Sequence, residues 1–334
     1  MPFVARRVAQ LVAVILAVTF LAFAAMNTLG DPLFNVVGFY AAVDCDAVLA
    51  GEVEDVARGG GTSIGDCAVV EEAREEFHLN DPLPVRYGYW LADAVRGDFG
   101  TSFKNRTPVS TVLADRLPKT LLLLTMAQLV AAAVAIPWAV ASAYRSGGRL
   151  DRASNAGAFG LLSMPNFALG VILFYFFVVR WELFPSRFED ADLLVRLHSL
   201  VLPACTLGLP LAAIYQRVLR TDLLTTLQED FVVMAKAKGL SDRRIMFRHV
   251  LRPSMFSMVT IFGLSASSAI GGAIIIEQIF SIPGIGRALL EAVVRDDFPV
   301  VLGSVVVIAT GFVVINLAVD LVYSYLDPRV SRDS

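Results

Sequence analysis

Apolar residues gather into six blocks along this chain: Val8–Leu29, Lys119–Ala143, Asn155–Val179, Leu200–Arg220, Met255–Phe280 and Val300–Leu326. Each is close to the roughly 20 helical residues that a bilayer core of about 30 Å requires. The pattern predicts an all-α integral membrane protein with about six transmembrane helices. Pro137, Pro165, Pro203 and Pro210 fall within these blocks. Packed membrane helices absorb prolines because neighbouring groups re-satisfy the freed carbonyls. The first block follows Arg6 and Arg7, as a signal peptide would. Its apolar run is longer than a signal core, so a retained helix is expected.

Charge then orients the blocks. The 334 residues are 56% hydrophobic and only 18% charged, too apolar for a soluble domain of this size. Arg6, Arg7, Arg145, Arg149, Arg152, the basic residues of Arg217–Arg252, Arg329 and Arg332 all fall on one side when six spans are drawn. The positive-inside bias makes that side cytoplasmic, with both termini there. Residues 31–116 then lie outside, with a cluster of acid from Asp44 to Glu76. A segment this long predicts a small helical lobe rather than a bare loop. The domains read as an N-terminal helix (1–30), an extracytoplasmic lobe (31–116) and a core with helices two to six (117–334), with a docking loop near 221–253. Cys45 and Cys67 both lie in the lobe. In an oxidising compartment a disulfide is expected, closing a loop of about 20 residues and contributing ~3 kcal/mol. The alternative is two free, small apolar residues. Cys205 lies in a span and reads as a packing residue.

Catalytic chemistry finds little support. The cysteines and His78, His198 and His249 lack metal-ligand spacing, so no metal is expected. Gly59-Gly60-Gly61 lacks the Lys-Ser/Thr of a phosphate-binding loop. No G-x-S-x-G occurs and no nucleophile–base set is readable, so an enzyme is not expected. Neither a cofactor in this chain nor a nucleic-acid partner is expected.

The polar segment Asp230–Pro253, DFVVMAKAKGLSDRRIMFRHVLRP, is the most informative. Leu227, Phe231, Met234 and Lys238 share one helical face, and Val232, Ala235 and Gly239 the next stripe. Gly239 suits a left-handed cap, with Leu240 folding back. Ser241 can cap a second helix carrying Arg243, Arg244, Arg248 and His249, which Pro253 would stop or kink. Ala235, Ala237 and Gly239 permit close approach, and the cations could meet acid or phosphate. A basic loop hugging the membrane is the plainer alternative.

The order of residues in Ala235-Lys236-Ala237-Lys238-Gly239-Leu240, with a later His249 and Pro253, resembles the docking loop of permease subunits in bacterial binding-protein-dependent ABC importers. The start, Val233-Met234-Ala235, departs from that family's Glu-Ala-Ala, as its dipeptide/oligopeptide branch does. Further matches follow in order: Gly30-Asp31-Pro32, Leu79–Trp90, Gly97–Ser102, Pro108-Val109, Leu117–Thr120, Ser163–Phe167, Glu277–Gly286, Arg295–Pro299, Asp320 with Tyr323, and Asp327–Arg329. Residues 35–71 look like an insertion. The resemblance implies a peptide importer in the bacterial inner membrane. Its partners would be a second permease, two cytoplasmic ATPases holding ATP and magnesium, an extracytoplasmic binding protein and membrane lipid. Nickel chelates or glutathione-like molecules are alternative substrates, and an ion-coupled transporter using Glu277 or Asp320 is a different class.

Within the matched segments, Glu277 is an acidic residue late in an apolar span, which needs a partner or water. Two readings stand: an outer-gate or pathway contact, or a residue that orients the bend Pro283-Gly284-Ile285-Gly286. Ser267 and Ser268 are candidate pathway residues. They sit among Gly263, Ser265, Gly271 and Gly272, a set that equally suits close helix packing. Asn316 and Asp320 are expected to make structural hydrogen bonds or an ion pair.

Overall fold

The computed structural model describes residues 2–29, 78 and 80–326. Cys45, Cys67, the insertion 35–71 and Asp327–Arg329 lie outside the described residues. The helices are α1 (Pro2–Leu29), α2 (Leu83–Val95), α3 (Val109–Tyr144), α4 (Arg149–Ser163), α5 (Asn166–Phe174), α6 (Leu193–Thr226), α7 (Asp230–Ala237), α8 (Asp242–Ile279), α9 (Ile285–Val294) and α10 (Phe298–Leu326). Among the described residues the only β pairing is an isolated bridge between Thr101 and Pro108. The chain is an all-α, multi-pass membrane protein. Five helices, α1, α3, α6, α8 and α10, are long and apolar enough to cross a bilayer.

The remaining apolar block is bent, as a broken span or a re-entrant loop. α4 and the stretch Asn166–Arg180 pass the same test only as a pair, bent by 99°. Proline disfavours helical geometry in the residue before it. Met164 accordingly takes φ −93°, ψ 124°, and Pro165 opens α5. The apolar block Asn155–Val179 thus turns in its middle instead of running straight.

Other prolines leave their helices continuous: Pro118 and Pro137 in α3, Pro203 and Pro210 in α6. Of the expected stop or kink at Pro253, the stop does not occur: α8 continues to Ile279. A proline lacks an N–H and crowds the carbonyl four residues back, here that of His249. The widened π turn Ile245–Val250 lies immediately upstream and takes up that mismatch.

The chain forms two packed units. One comprises residues 1–8, 116–287 and 310–334; the other comprises 9–115 and 288–309. In the first, α6 packs on α4, α5 and α8. Ala131, Ala135 and Ala139 of α3 recur every four residues and are fully buried with Ala212, Tyr215, Leu219 and Leu223 of α6. Small side chains at this spacing let helix backbones approach closely. The contact is tightest at Gly208, where a Cβ would lie 2.7 Å from the Ala127 carbonyl oxygen.

In the second unit, Tyr87 of α2 packs edge-on against Phe20 and Phe23 of α1 and shares a 2.8 Å hydrogen bond with Thr19. The matched segments Gly97–Ser102 and Arg295–Pro299 meet here. Buried Asp297 accepts from the Ser102 hydroxyl and from the Phe103 amide at 3.0 Å.

Gly208→Val is expected to overpack the α3–α6 contact, lowering stability by about 1–3 kcal/mol. Gly271→Ala has open space around it and should change little. Thermal unfolding of the two purified variants in detergent checks this; a parental midpoint for Gly208→Val would contradict the packing.

Candidate functional site

The segment singled out by sequence folds as a short helix with a formal stop. In α7, the Gly239 amide donates to the Lys236 carbonyl at 2.9 Å and the Leu240 amide to that of Ala235 at 3.2 Å. Gly239 sits at φ +75°. These are the two bonds of a Schellman cap, and they satisfy carbonyls that the helix end would otherwise leave open. Ser241 occupies the first cap position of α8, but its side chain makes no capping bond.

The cap aims two different faces. Val232 and Ala235 are buried in a cluster with Leu219, Leu223, Ile245, Met246 and Val250. Phe231, Val233, Met234, Lys236, Ala237, Lys238 and Gly239 are exposed, and Leu240 is half-buried. Ala235, offered by sequence as part of a partner surface, is therefore turned into the core. Close approach from outside falls to Ala237 and Gly239. Arg243, Arg244 and Arg248 are exposed and His249 is half-buried. Val233 and Phe247 were not singled out by sequence. They are 61% and 53% exposed and lie near the same surface in sequence.

The second site is the bend after α8, where Glu277, Pro283, Gly284 and Gly286 come together. Glu277 is completely buried. Its Oε1 accepts from the Thr120 hydroxyl at 2.6 Å and its Oε2 from the Arg287 amide at 3.0 Å. Thr120 in turn accepts from the Ile285 amide at 2.9 Å. The carboxylate thus sits at the N-terminus of α9, where unpaired amides and the helix dipole favour negative charge. The main chain supports the same geometry. Ser281 is left-handed at φ 52°, and the Ile282 amide donates to the Glu277 carbonyl at 2.8 Å. A Cβ at Gly284 would fall 2.2 Å from Glu277 Oε1, and one at Gly286 would fall 2.6 Å from Ile274 Cα. Both glycines are therefore space requirements. Thr120 belongs to a matched segment, Leu117–Thr120, but nothing in the sequence joins it to Glu277.

Ser267 and Ser268 do not join this site; they precede Glu277 by about 14 Å of helix at 1.5 Å per residue. Ser267 is buried, its hydroxyl without a partner among the described residues. Ser268 is exposed and donates to the Ser265 carbonyl at 3.0 Å. The small residues divide likewise. Gly263 and Gly272 pack closely against Val319 and Leu207, whereas Gly271 has open space. Leu264, Ser268, Gly271 and Ile275 form one exposed stripe of α8. Asn316 donates to the Phe312 carbonyl at 2.8 Å; the Asp320 side chain lies outside the described set.

A third arrangement was missed by sequence altogether. Asp151 of α4 accepts a bidentate pair from Arg220 of α6, Nε and Nη2 each at 2.7 Å. Ser142 of α3 donates to the same carboxylate at 2.6 Å and the Gly147 amide at 2.9 Å. One turn along, Gln216 donates to Ser154 at 3.2 Å. A fork-to-carboxylate pair with every oxygen satisfied is the form in which ions are tolerated in an apolar bundle. It ties α3, α4 and α6 together, and α6 leads directly into the segment bearing α7. The available signal was an arginine at the end of an apolar block and an aspartate in a basic stretch. None of these sites gathers a nucleophile and base, and among the described residues no cluster could hold a metal.

Residues 135–332 match the family described as binding-protein-dependent transport system inner membrane component. The chain is 37% identical over 266 residues to an oligopeptide transport system permease protein, AppB, of Bacillus subtilis, covering 78% of this chain and 84% of that one. It is 34% identical over 333 residues, 98% of both chains, to a putative peptide transport system permease protein of Brucella abortus. It is 33% identical over 276 residues, 83% of this chain and 89% of the other, to the glutathione transport system permease protein GsiC of Pectobacterium atrosepticum.

Glu277→Gln should turn an amide donor toward either the Thr120 hydroxyl or the Arg287 amide, costing about 1–3 kcal/mol. Gly284→Ala should expel the carboxylate and lower stability further. Thermal midpoints equal to the parent for both variants would remove Glu277 from the bend. For the ion pair, Asp151→Leu or Arg220→Met alone should cost about 3–5 kcal/mol, and the double replacement clearly less than the sum. A double-mutant cycle that adds without coupling would show the pair to be inert.

Proposed function

Because the chain belongs to the family of inner membrane components of binding-protein-dependent transport systems, we propose that it is the membrane-spanning subunit of an ATP-driven importer for di- and oligopeptides. The names of its peptide-transport relatives support that substrate class. A glutathione-like tripeptide is the second reading, favoured by one relative's name. The chain sits in the bacterial inner membrane with both termini cytoplasmic, an orientation supported by the one-sided placement of its basic residues.

The observation that carries the reading is α7: a capped helix with one face seated in the core and the other offering Phe231, Met234 and Lys238 outward. Two cytoplasmic ATPases bind and hydrolyse ATP with magnesium, and one docks on this face. Val232 and Ala235 pass a displacement of α7 to the cluster on α6, and the Asp151–Arg220 pair carries it to α3 and α4 as a rigid body. A second, related permease covers the exposed stripe of α8, and the substrate pathway runs between the two. An extracytoplasmic binding protein delivers peptide near the bend that Glu277 holds. Glu277 acts there as a positioning residue: it fixes the turn that closes the outer end of the pathway. Alternating access then follows from two arrangements of packed helices, biased by ATPase closure.

Met234→Asp combined with Phe231→Ala should reduce ATPase co-purification at least about tenfold, the effect of losing roughly 1.4 kcal/mol of contact. The permease's own stability should hardly move, because both side chains point outward. Gly239→Val should reach the same loss by straining the cap, at about 1 kcal/mol or more. Unchanged ATPase retention and peptide uptake in both would remove the docking assignment. Uptake that persists in vesicles without the ATPases, driven by an ion gradient, would instead favour the ion-coupled class.

A further inference from the structure

At the start of α8 the chain forms an open pocket of about 450 Å³ lined by Ser241, Arg243, Arg244, Phe247 and Arg248. Three guanidinium groups, a hydroxyl and an aromatic ring surround one space. None of the three arginines is ion-paired among the described residues. Unneutralised guanidinium groups in a concave site select phosphate or carboxylate, both of which match their fork geometry.

What lies below the pocket narrows the ligand. Arg252, Phe256 and Val259 follow Arg248 at intervals of four, four and three residues, the spacing of one helix face. Arg252 is exposed, and Phe256 and Val259 are 42% and 41% exposed. α8 therefore carries a cationic cradle at its end and an open apolar track running from it into the span. An acidic protein surface would use the cradle but not the track. A phospholipid uses both, headgroup in the arginines and acyl chain along the helix.

We propose that this pocket is a binding site for the phosphodiester headgroup of an anionic phospholipid, with one acyl chain lying along Phe256 and Val259. The lipid neutralises the arginines beside α7 and holds the start of α8 at the membrane surface. The site requires only that α8 span the bilayer; it does not depend on the docking assignment.

The test uses the intact purified transporter, exchanged into micelles containing equal amounts of phosphatidylglycerol and phosphatidylcholine, with bound lipid read by native mass spectrometry. The parental protein should retain phosphatidylglycerol at least about tenfold over phosphatidylcholine, given the attraction expected from several arginines at a membrane surface. R244Q/R248Q should lose the preference. R149Q/R152Q removes the same charge from exposed positions elsewhere in the basic set and should keep it. Excess inorganic phosphate should not displace the lipid. Equal retention of both lipids by the parental protein would overturn the site without recourse to any variant. So would equal loss in both double variants, which would indicate diffuse attraction, or displacement by phosphate, which would indicate a free-anion site. Retained lipid with lost ATPase in R244Q/R248Q would assign these arginines to protein docking instead.

Discussion

An ionised side chain inside an apolar bundle must find its partners within the chain, and here that requirement organises the packing. Asp151 and Arg220 meet in a bidentate pair that also draws in Ser142 and the Gly147 amide. Removing Arg220 leaves the Asp151 carboxylate buried and uncompensated, which is why such a pair constrains geometry more than it adds net stability. Three helices are held in register by it. One of them, α6, ends only a few residues before α7. The alanine face of α3 and Gly208 of α6 then set how closely the same helices approach.

Glu277 follows the same logic at the other end of α8. Its two oxygens are used by a hydroxyl on α3 and an amide on α9, and Gly284 leaves the room they need. A carboxylate in this setting holds a bend open to one conformation. Glu277 thereby fixes the shape of the bend.

What could be read from sequence was local or periodic. The six apolar blocks follow from bilayer thickness, and five correspond to single long helices. Gly239 followed by Leu240 signals a left-handed cap because both bonds of that motif lie within six residues. The bend at Pro283–Gly286 was legible for the same reason. Long-range choices were not. Asp151 and Arg220 are 69 positions apart, and only the packing of α4 on α6 brings them together. Ser102 and Asp297 are 195 apart, in two matched segments that gave no sign of touching. The eight residues of α7 are too few for periodicity to say which stripe is inside, so Ala235 was placed on the wrong face. Pro253 was read as a stop or a kink by a local rule, and the helix runs on past it with a π turn immediately upstream.

The division of α7 into a seated face and an offered face is the claim on which the transport reading turns. A photo-crosslinking amino acid placed at Met234 in the intact, membrane-embedded assembly examines it directly, with Phe256 on α8 as the comparison position. The account predicts an ATPase adduct from Met234 and lipid adducts from Phe256. Crosslinks from Met234 confined to lipid or to this chain would contradict it.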